Sequence, residues 1–207
     1  MSIVSEDEAQ RVQAAITAAE RRTSGEIVAM ITAYSASYAH VPILWAALTA
    51  LAVPLPLIFW TWWPIQHIYL LQLAVFASLA LLLSWQPIRF RIVPGTIKKS
   101  RAHRRAIEQF LAQNLHTTAG RTGVLIFVSV AEHYVEIVAD TGIHARVPEA
   151  EWQRIVDQLT AAIGAGRAGD GFAEAVAQVG RHLAEHFPPG TVDPNELPNH
   201  LIVLPTD

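Results

Sequence analysis

From Ile43 to Trp85 the chain carries no Asp, Glu, Lys or Arg. A bilayer core about 30 Å thick takes roughly 20 apolar residues as helix, so this block is long enough to cross twice. The segment TWWPIQH (Thr61–His67) divides it. The expected spans are Pro42–Trp60 and Ile68–Trp85, because Pro42 suits a first helical turn and Pro64 suits a sharp connection. Pro54 and Pro56 fall inside the first span and predict a kink there. Trp45, Trp60, Trp62, Trp63 and Trp85 lie near the expected span ends, as in an aromatic belt. Two buried core helices are the alternative, and the length of the uncharged run argues against them.

Orientation follows from the cations. Arg89, Arg91, Lys98, Lys99, Arg101, Arg104 and Arg105 follow the second span with no acid before Glu108, and the connection between the spans has no Lys or Arg. The positive-inside rule then places both termini in the cytoplasm, at an inner membrane crossed twice. The same basic run can meet anionic headgroups at about 1 kcal/mol per cation. No aromatic residue interleaves the cations between Arg91 and Arg105, and the net charge is −3, so nucleic acid is not an expected partner. The chain lacks Cys, which removes disulfides and zinc–thiolate sites. Its first residues, MSIVSEDEAQ, do not read as a cleavable signal peptide.

Outside the block the patterning is that of an α/β domain. Ser5 and Glu8 form a capping box, and Val12, Ile16 and Ala19 mark one helical face. EIVAMITA (Glu26–Ala33) predicts a buried strand, but one helix and one strand cannot make a core alone. After the block, Ala102, Ala106, Phe110 and Leu111 predict a helix ending near Asn114. VLIFVSV (Val124–Val130) and YVEIVAD (Tyr134–Asp140) predict an antiparallel hairpin through Ala131–His133. Pro148 opens a helix with an apolar stripe at Trp152, Ile155, Val156, Leu159 and Ile163. A last helix runs through Phe172, Val176, Val179 and Leu183, and the tail from Pro188 reads as extended. The membrane block thus interrupts one domain: residues 1–40 and 88–187 form its parts, 41–87 the hairpin and 188–207 the tail.

TSGEIVAMI, RTGVLIFVSVAEHYVEIVADTGI and GDGFAEAVAQVGRHL together resemble the TPM domain family, over about residues 5–36 and 97–187. The inserted hairpin is similar to that of the family's bacterial predicted-membrane-protein branch. The resemblance implies an α/β/α sandwich of the TPM type, interrupted by a two-helix transmembrane hairpin. It also implies calcium binding in some members, and a link of plant thylakoid members to acid phosphatase activity and photosystem repair. Asp170 fits the family's Gly-Asp before the last helix. Thr122 stands where many members have an acid or amide, and Ile143-His144-Ala145 where many have Leu-Glu-Gly.

Two letter matches have simpler structural readings. Gly164–Gly169 matches G-x-G-x-x-G, but a helix and not a strand precedes it, so it reads as an interhelical loop. His182-Leu183-Ala184-Glu185-His186 matches a zinc pattern, yet both His fall near a helix C-terminus, which favours them without a metal. Among Glu132, His133, Asp140, His144 and Asp170, the first two sit at the hairpin turn and the next two at the other end, about 20 Å away at roughly 3.3 Å per residue. A cation site, following the resemblance, would use Asp140 and Asp170 with carbonyls near Gly142 and Gly171, and take Ca2+ weakly. Otherwise Asp140 caps the Thr141-Gly142 turn and Asp170 caps the last helix. The expected function is a membrane-anchored interaction or ligand-binding module, engaged in membrane-protein assembly or maintenance. The alternative is a divalent-metal-dependent phosphatase. A membrane partner would pack on small residues of the hairpin: Ala46, Ala47, Ala50, Ala74, Ala77, Ser78 and Ala80.

Overall fold

A computed structural model describes residues 4–36, 38, 40–85, 88, 91–118, 120–189 and 197–204. Pro87 and Arg89 lie outside the described residues. The chain packs as two compact units, Met1–Ser35 with Lys99–Asp207, and Ala36–Lys98.

The first unit is mixed α/β. Helix α1 (Glu6–Glu20) starts at Ser5, whose hydroxyl accepts from the Glu8 N–H at 3.3 Å while the Glu8 carboxylate accepts from the Ser5 N–H at 2.9 Å. That reciprocal pairing satisfies two of the open donors of the first turn. The Ser5 hydrogen bonds hold the Glu8 carboxyl below its usual pKa. Strands β1 (Glu26–Thr32), β2 (Gly123–Ser129), β3 (Tyr134–Ala139) and β4 (Leu201–Leu204) form one sheet in the order β3-β2-β1-β4. β1 pairs β2 in parallel from Glu26↔Gly123 to Thr32↔Ser129, β2 pairs β3 antiparallel, and β1 pairs β4 in parallel from Ala29↔Leu201. Every residue of β1 and β2 is buried, as expected where helices cover both faces of parallel strands.

Alternation sorts the core into two layers. Ile27, Ala29, Ile31, Val124, Ile126 and Val128 face α1, α7 (Glu149–Gly164) and α8 (Ala168–His186). Val28, Met30, Leu125 and Phe127 face Ala106 and Phe110 of α5 (Gly95–Ala112). The result is an α/β/α sandwich with β1 in its centre. The short helix α6 (Thr141–His144) follows β3. Two glycines set close approaches: a Cβ on Gly123 would lie 2.3 Å from the Leu115 carbonyl oxygen, and one on Gly180 would lie 2.6 Å from Ala19 Cβ. The first seats the turn at Leu115 against β2, and the second lets α8 pack on α1.

The tail departs from expectation. It is not merely extended, because Leu201–Leu204 adds an edge strand and Leu201 is buried. Ile27, Ala29 and Ile31 turn their N–H groups to that edge, since N–H direction alternates along a strand. Ile27 N–H donates to Glu20 Oε1 at 3.0 Å, and the residues beyond it meet β4.

The second unit holds α2 (His40–Ala52), α3 (Pro54–Trp60) and α4 (Ile65–Ser84). The expected kink is a break after Ala52, with Pro54 starting α3. Proline supplies no N–H for the α2 ladder and suits a first turn. The expected TWWPIQH connection is shorter, residues 61–64, because α4 begins directly after Pro64. The stretch His40–Trp60, formed by α2 and α3 in succession, and helix Ile65–Ser84 are each long and apolar enough to cross a membrane. Ala46, Ala50 and Ile68 are buried in this unit, where α2 packs on α4. Ala46 and Ala50 are therefore buried within this helix pair, while Ala47, Ala74, Ala77 and Ser78 stay exposed.

Candidate functional site

At the carboxyl ends of β1 and β2, three polar side chains close on one another. Glu132, buried in the turn after β2, accepts from the Ser35 N–H with both oxygens, at 3.1 and 3.2 Å. Ser129, the last residue of β2, donates its hydroxyl to the same carboxylate, and Ser35 Oγ lies 2.7 Å from Ser129 Oγ. His133 completes the turn with φ +49°. The carboxyl ends of parallel strands are where open α/β sheets usually hold ligands. Here the carboxylate is engaged by the chain's own donors, so it ties the exit of β1 to the β2–β3 turn. Glu132 and His133 are legible in the sequence as polar residues at the hairpin turn, whereas Ser35 and Ser129 carry no motif.

Asp140 lies at the opposite end of the sheet. Its N–H donates to the Gly123 carbonyl at 3.0 Å, and its Oδ1 accepts from the Thr141 N–H at 2.6 Å and from the Thr141 hydroxyl at 3.1 Å. Asp140 is thus the N-cap of α6, with His144 in that helix's last turn. Its Oδ2 is buried and has no hydrogen-bond partner among the described residues. Asp170 sits instead in the first turn of α8, paired to Arg11 of α1.

The two acids do not meet. The Phe187 carbonyl at the C-terminus of α8 accepts from the Ser24 N–H at 3.0 Å and from the Thr23 hydroxyl at 2.7 Å, which fixes it beside the start of β1 and hence near Gly123 and Asp140. Asp170 is a helix length away, about 24 Å along α8 at roughly 1.5 Å per residue. Gly171 lies inside α8, so its carbonyl belongs to the helix ladder. Asp170 does not cap α8 either; the Glu8 carboxylate accepts from the Gly169 N–H at 3.3 Å. Among the described residues, no three His, Cys, Asp or Glu are grouped to hold a metal.

A third polar set lies along the free edge of β3. Glu136 accepts from the Tyr134 hydroxyl at 3.0 Å and meets His103 Nδ1 of α5 at 2.8 Å. Burial, and then the neighbouring Glu136 charge, push the Tyr134 phenol well above its usual pKa. Of the Gly-rich segment, residues 165–167 form the loop between α7 and α8, while Gly164 ends α7 and Gly169 lies in the first turn of α8. His182 Nε2 lies 3.6 Å from Glu151, and its ring is tilted against Trp152 at 6.2 Å, while the His186 ring packs edge-on to Phe187. Both histidines have protein neighbours that account for them.

Residues 86–182 match a sequence model of the TPM domain, labelled TPM phosphatase. The chain carries a TPM domain. The fold of the NMR structure of the BA42 protein from the psychrophilic bacterium Bizionia argentinensis is similar, with a TM-score of 0.61 at 19% identity, over 98% of this chain and 96% of that one. No curated protein matches. The sequence match ends before β4, so the TPM domain here gains its edge strand from a segment beyond the matched residues.

Proposed function

We propose that the hairpin anchors this TPM domain to the cytoplasmic face of an inner membrane. The domain then acts as an interaction or ligand-binding module in membrane-protein assembly or maintenance. The supporting observation is the exposed apolar surface of the two long helices. Only 22% of the first helix's most apolar window and 6% of the second's is buried by protein, and Phe59, Trp60 and Leu81 are each at least 80% exposed. Contiguous apolar exposure on this scale marks a surface that meets lipid or protein. Arg91, Lys98, Lys99, Arg101, Arg104 and Arg105, with Arg89 before them, supply the cytoplasmic charge bias and contacts for anionic headgroups.

A reporter fused after Asp207 and another placed within Trp62–Pro64 should report opposite compartments, the first cytoplasmic. A C-terminal fusion reporting from outside the cytoplasm overturns the orientation. Purification in mild detergent, with identification of co-eluting proteins and a phosphatase assay with and without calcium, tests the module. Saturable turnover of a phosphate monoester would replace it with a hydrolase.

A further inference from the structure

Within the second unit, a groove of about 340 Å³ opens between α2 and α4, lined by Leu44, Ala47, Leu48, Leu51, Phe76 and Gln72 among others. Gln72 is the polar exception. It lies about 10 Å along α4 from Ile65 and about 18 Å from Ser84 at roughly 1.5 Å per residue, well inside a hydrocarbon layer if the helix spans one. Thr49 of α2 and Thr61, just after α3, donate their hydroxyls to the Trp45 and Leu57 carbonyls four residues earlier. Gln72 makes no side-chain hydrogen bond among the described residues. Its amide carries two donors and an acceptor oxygen with two lone pairs. In lipid no water is available to satisfy them, and such amides are met across helix–helix contacts.

We infer that Gln72 pairs with Gln72 of a second copy of this chain, joining two hairpins through the α2–α4 groove. This rests on the membrane reading above and adds the partner. An amide is its own complement, because the N–H of one copy donates to the C=O of the other and the reverse. A two-fold axis also brings the partner amide to the same depth, a match that an unrelated helix would have to supply separately. The spans contain no charged residue that could compete for it. Ala47 is small and exposed beside the groove, so a neighbouring backbone can approach there.

The chain has no Cys, so Ala47→Cys in the full chain gives a single thiol. Reconstituted into phosphatidylcholine vesicles and oxidised, A47C should form a covalent dimer. Adding Gln72→Leu should lower the dimer fraction at least fivefold, while Gln72→Asn should keep most of it. Sedimentation of the vesicles at alkaline pH reports embedding. Protein stripped from the vesicles overturns the anchor and this pairing with it. Protein that stays embedded but forms no dimer, or cross-links equally with Gln72→Leu, overturns the pairing alone. In the membranes of the source cell, an adduct of a different mass in place of the dimer assigns the groove to another membrane protein and also overturns it.

Discussion

At the scale of the residue, Glu132 shows how one side chain can hold two distant parts of a chain together. It joins Ser35 to Ser129, 94 positions apart, through hydrogen bonds to a buried charge. Hydrogen bonds to charged groups are worth roughly 1.5–3 kcal/mol each, and orphaned donors cost more. Glu132→Ala should therefore lower stability by about 3 kcal/mol, read as a lower urea midpoint with an unchanged slope. Tyr134 gives a test by pH. Its phenol is held protonated by burial and by Glu136, whereas in the unfolded chain it ionises near its ordinary value of about 10. The unfolded state then binds fewer protons above that pH, so this contribution is complete below about pH 10 and falls as pH rises. Tyr134→Phe should flatten the alkaline decline in melting temperature. Glu132 was legible in the sequence as a charge at a turn, but its partners were not. Ser35 and Ser129 are ordinary residues until strand pairing brings their ends together.

Among the elements, the edge strand is the least expected and the easiest to remove. Four apolar residues, Leu201–Leu204, bury Leu201 and cover the β1 edge. Without them, Ala29 and Ile31 would present unpaired N–H groups beside an exposed apolar row, which is a template for association. Truncation after Pro189 should lower the melting temperature and raise aggregation, followed by light scattering on heating. If the truncated chain melts and scatters like the full one, β4 is dispensable. The segment LIVL is too short to distinguish a strand from an apolar tail by its pattern, and its partner β1 lies far earlier in the chain. By contrast, α1, α7 and α8 were legible throughout, because their apolar spacing follows a helical face and their ends carry turn residues.

For the molecule as a whole, the uncharged block interrupts a domain whose first strand is central. β1 pairs with β2 over all seven of its residues, so residues before and after the block share one sheet. Replacing residues 42–87 with a Gly/Ser linker of about a dozen residues, reaching roughly 5–6 Å × √n, should leave a soluble domain that unfolds cooperatively. Five of the six tryptophans lie in that block, so Trp152, buried against the core, becomes the sole fluorescent reporter. A fragment of residues 88–207 should not fold, because it lacks α1 and β1; equal stability would sink the split domain. Much of this was determined by the sequence by itself. The absence of charge from Ile43 to Trp85 and the apolar periods on either side are local properties, and they dictate two apolar helices and an α/β flank wherever they occur. Tertiary structure alone decided that β4 joins β1, that Glu132 is satisfied by Ser35 and Ser129, and that Asp140 and Asp170 stand at opposite ends of α8. Those outcomes depend on which strand ends and helix ends become neighbours, and side-chain pattern along a chain carries no distance between residues that far apart.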